Sequence, residues 1–189
     1  MITKQQRGRL TLLAIAAAFA LPIATAMYFY FSDSGWRPGG DTQRGILITP
    51  PRSLSDRPLN DAQPPPQFRE VWSLMVPAGA ECVADCADAL FKVRQLRRWL
   101  GPKMPRMQMV FVPADAAAFT PELAAEHPRL IVAAPNVAAE IAMVIGDYTA
   151  GDIFLVDPFG NIMMLYPVGS DMGDIRVDLG HLLKLSTIG

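Results

Sequence analysis

Residues 71–112 run Val71-Trp-Ser-Leu-Met-Val76, Pro77-Ala-Gly-Ala80, Glu81-Cys82-Val-Ala-Asp-Cys86, then a charged stretch to Leu100, Gly101-Pro102, and Met107-Gln-Met-Val-Phe-Val112. The first and last runs are apolar and of strand length. Between them, apolar residues fall at Val83, Ala87, Leu90, Phe91, Val93, Leu96 and Leu100, the broad stripe of a helix. Lys92, Arg94, Arg97 and Arg98 take the other side, and Gly101-Pro102 stops the helix. The unit is strand, loop, helix, strand. It predicts two parallel strands joined by a right-handed crossover. The only two cysteines of the chain lie where that unit presents a helix N-terminus.

Working outward, the 189 residues suffice for one compact domain and an appendage. A net charge of −1 gives no field for nucleic acid or an anionic surface, so no nucleic-acid partner is expected. Apolar residues make up 51 %, somewhat high for a soluble domain, and the N-terminus explains part of the excess. Two cysteines are too few for a disulfide scaffold, and only His127 and His181 are available to add imidazole ligands.

Leu10 to Phe31 carries no charge over 22 residues. As a helix it spans roughly 33 Å, against a hydrocarbon core of about 30 Å. Lys4, Arg7 and Arg9 precede it and no acid appears before Asp33. Residues 1–9 are therefore read as cytoplasmic and 10–31 as a transmembrane anchor, with the rest exported to the periplasm of an inner-membrane protein. A cleaved signal peptide, with Ala24-Thr25-Ala26 at the cleavage site, is the rival reading. Either way the remainder lies where disulfides and copper handling are plausible. Residues 32–67 hold seven prolines and scattered charges, and are expected to be an extended spacer. Within them Gly45-Ile46-Leu47-Ile48 reads equally well as a short edge strand or as tether.

Residues 68–189 form the expected periplasmic domain. After the second strand, Thr120-Pro121-Glu122 suggests a short helix over 121–126. A strand at 130–133, a helix at 137–145 capped by Asn136, a strand at 153–156, a turn at Asp157-Pro158-Phe159-Gly160, a returning strand at 162–166 and a helix at 177–185 complete the order. That order predicts a thioredoxin-like three-layer α/β/α sandwich with an N-terminal transmembrane helix.

Cys82 and Cys86, one helical turn apart, are able to bond to each other or share one soft metal ion such as Cu(I). They are the candidate catalytic and metal-binding residues. A purely structural bridge is the alternative, but closing a loop this short is worth only ~2 kcal/mol in the chain-entropy model. A helix N-terminus favours the thiolate, whereas Glu81 and Asp85 oppose it. His127, before Pro128, is expected to be a solvated loop residue, and His181 a packed or exposed helix residue. Met75, Met107, Met109, Met163 and Met164 are expected in the core, leaving Met104 and Met172 as possible copper helpers. The face of Lys92, Arg94, Arg97 and Arg98 reads as solvated, or as a dock for an acidic partner. Asp157 is expected to shape its turn.

The anchor, the Cys82-x-x-x-Cys86 pair after a strand, and Ile153-Phe-Leu-Val-Asp-Pro-Phe-Gly160 together resemble the SCO/SenC family. These are thioredoxin-like, membrane-anchored proteins that deliver copper to cytochrome c oxidase or reduce its thiols. Arg94-Gln95-Leu-Arg97, Asp157-Pro-x-Gly-Asn161 with Met163-Met164, and Asp178-Leu-x-x-Leu-Leu-Lys-Leu-Ser186 resemble shorter bacterial relatives associated with oxidase assembly. The resemblance implies a copper cargo and, as partner, a cytochrome c oxidase subunit or another copper chaperone. It also implies a histidine ligand at the position of Thr149 and a proline after the second cysteine, where this chain has Ala87. The cis-proline that thioredoxins place in this region has no counterpart between Asn136 and Asp157. The reading is thus an assembly protein working by Cu(I) handling or thiol reduction. A general periplasmic thiol–disulfide oxidoreductase and a non-catalytic binding factor stand as alternatives.

Overall fold

Trp72–Ala78 (β2) is buried at every position, as a central strand with apolar residues on both faces must be. In a computed structural model, which describes residues 4–31, 42–54, 56 and 58–188, it lies mid-sheet. The other strands are Ile46–Ser53 (β1), Met107–Pro113 (β3), Leu130–Val132 (β4), Ile153–Val156 (β5) and Asn161–Tyr166 (β6). The helices are Lys4–Phe31 (α1), Ala84–Trp99 (α2), Pro121–Glu126 (α3), Pro135–Ile145 (α4) and Met172–Leu185 (α5). The sheet order is β1-β6-β5-β2-β3-β4. β2, β3 and β4 are mutually parallel, and β5, β6 and β1 continue antiparallel.

Alternation along the strands sorts side chains into two core layers. Leu74, Val76, Met109, Phe111 and Leu155 face the side packed by Leu90, Val93 and Leu96 of α2 and by Ile175 and Leu179 of α5. Met75, Val110, Val112, Phe154 and Val156 face Val137, Ala138, Ile141 and Ile145 of α4. The three-layer thioredoxin-like sandwich expected from the element order is therefore observed. A bulge in the β5–β6 ladder moves the partner of Val156 to Ile162 after Leu155 has paired with Met164. That irregularity puts Ile162 on the α4 side while Met164 and Tyr166 face α2 and α5. Met75, Met107, Met109 and Met164 fill the core as expected.

Three boundaries differ from the sequence reading. The compact unit begins at Gln43, so the stretch 43–67, read as spacer, is largely folded. β1 pairs with β6, Leu54 and Leu59 are buried, and the Leu59 carbonyl accepts from Ala134 N–H at 2.7 Å. Prolines at an edge strand remove no ladder bond that the sheet needs, which is why Pro50 and Pro51 are tolerated there. Second, α4 starts on Pro135 with Ala134 as its N-cap rather than on Asn136, because proline's fixed φ suits the first helical position. Third, α5 begins five residues early, at Met172, where Asp171 caps it by accepting from Gly173 N–H.

The unit Met1–Thr42 contains α1, whose 28 residues enclose Pro22. Within Gln5–Phe29 an 18-residue window has a mean hydropathy of 2.1, so the helix is long and apolar enough to cross a membrane. It is a candidate membrane anchor. α1 ends at Phe31, and the side chain of Tyr30 lies outside the described residues.

Candidate functional site

β2 runs out at Ala78, and residues 79–83 turn the chain into α2. Val83 is the N-cap and has no side-chain oxygen to offer, so no side chain satisfies the first-turn N–H groups of α2. Cys82 stands just outside the helix and Cys86 in its first turn. Their sulfurs are bonded, with Cα atoms 5.2 Å apart. Cys86 is fully buried against the α2 core, whereas Cys82 is half-buried. Cys82 lines an open groove of about 690 Å³ whose other walls include Val83, Asp115, Thr120, Leu123 and three glutamates, Glu81, Glu122 and Glu126. The groove is thus acidic. The Glu122 carboxylate is held below the usual range by its own backbone N–H and by the Thr120 hydroxyl.

The loop from Gly146 to Asp152 closes the site from the other side. Gly151, with φ +99°, brings its backbone so near α2 that an added Cβ would sit 2.9 Å from the Asp85 carbonyl oxygen and Cβ. Asp152, 5 % exposed, holds the loop by accepting from Thr149 N–H at 2.8 Å and from Val168 N–H at 2.9 Å. Tyr148 donates its hydroxyl to the Ala78 carbonyl at 3.1 Å, tying the loop to the end of β2. Thr149, the position where the family resemblance implies a histidine, belongs to this loop, which approaches α2 at Asp85.

Dithiol Cys82 and Cys86 suit a linear or near-linear Cu(I) complex, since two soft thiolates satisfy that ion. Threonine at 149 supplies no imidazole. Among the described residues no group of three His, Cys, Asp or Glu side chains is placed to hold a metal ion. The donor set therefore fits Cu(I) and does not fit a three-ligand Cu(II) site.

His127 contradicts its expectation as a solvated loop residue. It is 3 % exposed, and its Nδ1 is buried with no hydrogen-bond partner. Burial and the Arg94 charge push its pKa down, with Glu126 opposing. His-Pro reads as loop in sequence, and only the proximity of the α2 arginines, invisible without the fold, explains the burial. Those arginines are also not simply solvated. Arg97 Nε donates to the Met107 carbonyl at 3.0 Å, and Arg94 donates to the Glu126 carbonyl. Met104, a possible copper helper, lies beside Arg97 instead of the cysteines. His181 is exposed on α5. Asp157 shapes its turn, accepting from Phe159 N–H at 2.9 Å and Asn161 N–H at 2.8 Å.

A central mixed sheet between helix layers, with a cysteine pair opening the first crossover helix, defines a thioredoxin-like protein. Residues 72–186 match the family described as transmembrane-like, thioredoxin-like, C-terminal domain, and the chain belongs to that family. No curated protein matches the sequence. Among solved structures, apo Sco1 from Thermus thermophilus is similar with a TM-score of 0.60 at 22 % identity, covering 76 % of this chain and 99 % of that one. Yeast Sco1 with copper bound gives 0.52 at 16 % identity, over 77 % and 96 %. BsSco, a member of the Sco family of cytochrome c oxidase assembly proteins, gives 0.52 at 14 % identity, over 75 % and 99 %. At these identities the likeness is one of fold, and at that level the SCO/SenC resemblance holds.

Proposed function

We propose that this chain is a membrane-anchored thioredoxin-like protein that assists cytochrome c oxidase assembly on the periplasmic side of the bacterial inner membrane. It does so through Cys82 and Cys86, by carrying Cu(I) or reducing a partner's disulfide. The observation that carries the reading is the asymmetry of the pair: one sulfur half-exposed in a groove, the other sealed behind it. As a dithiol, the Cys82 thiolate attacks a partner disulfide, forming a mixed disulfide and releasing one partner thiolate. Cys86 then attacks Cys82 Sγ, re-forming the bond seen here and releasing the second partner thiolate, so two electrons pass to the partner. A dithiol reductant outside the cytoplasm must reset the pair. The same dithiol takes one Cu(I) between its two thiolates as cargo.

The missing proline in the Gly146–Asp152 loop favours this reading over general thioredoxin activity. The divisions at 9/10 and 31/32 and the exported orientation belong to the same proposal, with the folded unit taken from Gln43 in place of residue 68. The test is a strain carrying C82S/C86S at normal expression. Loss of cytochrome c oxidase activity restored by added copper supports copper delivery, and loss without restoration supports thiol reduction. Normal oxidase activity with an altered thiol state in many exported proteins indicates a general oxidoreductase. No change in either refutes a role for the cysteines. Anaerobic Cu(I) titration of the full chain should show one ion bound by the reduced wild type and none by the double variant.

A further inference from the structure

On the flank of α2 away from its cysteine end lies a second cavity, of about 310 Å³, lined by Arg94, Arg97 and Arg98 of α2, Arg129, His127 and Glu126. Its chemistry is opposite to that of the groove at Cys82. Four guanidinium groups converge, and among the described residues none of them forms a salt bridge to a carboxylate. Arg97 is held below its usual value by burial and then by the positive charge of Arg129, and Glu126 is the one carboxylate among the lining residues. Like charges so gathered repel, and the arrangement is costly without a counter-charge. Two of the groups are also fixed in place. Arg97 donates Nε to the Met107 carbonyl, and Arg94 donates to the Glu126 carbonyl. Two buried polar atoms wait without partners: Arg94 Nε and, on a side chain 97 % buried, His127 Nδ1. An unpaired buried donor costs about 1–3 kcal/mol, so both atoms call for an acceptor.

We propose that this cavity is a binding site for a phosphate group, taken by the paired arginines with His127 Nδ1 donating to the same anion. Forked guanidinium donors match phosphate oxygens two at a time, and several such forks suit the unbridged oxygens of a phosphate monoester or diester better than a single carboxylate. The volume admits a phosphate with a small substituent, so the same chemistry arises from a free phosphate compound or from the headgroup of an anionic phospholipid. The cavity does not include Cys82 or Cys86, although it shares Glu126 with the groove at Cys82.

The test uses the full chain in uncharged detergent micelles, titrated with inorganic phosphate against chloride at constant ionic strength. The ring resonances of the two histidines are followed by NMR, with exposed His181 as the internal control. The expected result is a saturable shift at His127 alone, weakened at least tenfold in R97Q/R129Q with unchanged circular dichroism. A second arm places the chain in phosphatidylglycerol or phosphatidylcholine nanodiscs without added phosphate. A His127 shift specific to phosphatidylglycerol assigns the lipid headgroup as the source, and a shift seen only with free phosphate assigns a soluble compound. A linear, unsaturated response shared by His181, or a titration unaltered in R97Q/R129Q, overturns the site.

Discussion

Cys82 and Cys86 are adjacent in space and unequal in access, and that inequality is measurable. In C86S the remaining thiol lies half-exposed in the groove, whereas in C82S it is buried. Reaction with a small aromatic disulfide reagent should be at least tenfold faster for C86S than for C82S, and equal rates would remove the attacking role assigned to Cys82. Thr149 offers the complementary experiment. If its loop faces the sulfurs as the Gly151–Asp85 approach requires, T149H adds an imidazole to the thiolates. Reduced T149H should then bind Cu(II) with an electron paramagnetic resonance signal of a thiolate–imidazole site that the wild type lacks. At this scale the closeness of the two cysteines was legible, because their spacing puts them one helical turn apart. His127 was not, since it lies against Arg94 of α2, which only the fold brings up to it.

The elements show where folding is tied together. Asp178 of α5, 3 % exposed, accepts from Arg44 N–H at 3.0 and 2.9 Å, from Gly45 N–H at 2.9 Å and from the Tyr166 hydroxyl at 3.0 Å. One carboxylate thus fastens the entry to β1, the end of β6 and the last helix. The chain must be glycine at 45, where a Cβ would lie 2.6 Å from the Tyr166 ring. D178A strands these donors and should lower unfolding free energy by about 3 kcal/mol, read from urea midpoints. Burial, and then the Asp178 charge and hydrogen bond, raise the Tyr166 hydroxyl well above its ordinary 10.0. An unfolded tyrosine ionises near that value while the folded one stays protonated, so the unfolded state binds fewer protons above it. Stability should be intact below pH 10 and fall as pH rises beyond, and Y166F should flatten that fall. The strands and α2 were readable because apolar runs and a helical stripe carry strong periodic signals. The start of α5 was not, because Gly173 and two aspartates in Asp171-Met-Gly-Asp174 read as loop, although Asp171 is a helix cap.

On the scale of the whole molecule, α1 and the sheet domain divide the labour, one supplying apolar length and the other a site. The full chain should resist extraction from membranes at alkaline pH, while a chain beginning at Gln43 should be released and keep its urea midpoint. Extraction of both would remove the membrane span. That β1 folds from a proline-bearing stretch was only half legible, since an edge strand needs few of the signals that mark a central one.

The carboxylate clasp on Arg44 has one further result. With α1 ending at Phe31 and the chain fastened at Arg44, only residues 32–43 remain to join them. Twelve residues reach at most about 43 Å when fully stretched, against roughly 125 Å for the thirty-six of 32–67.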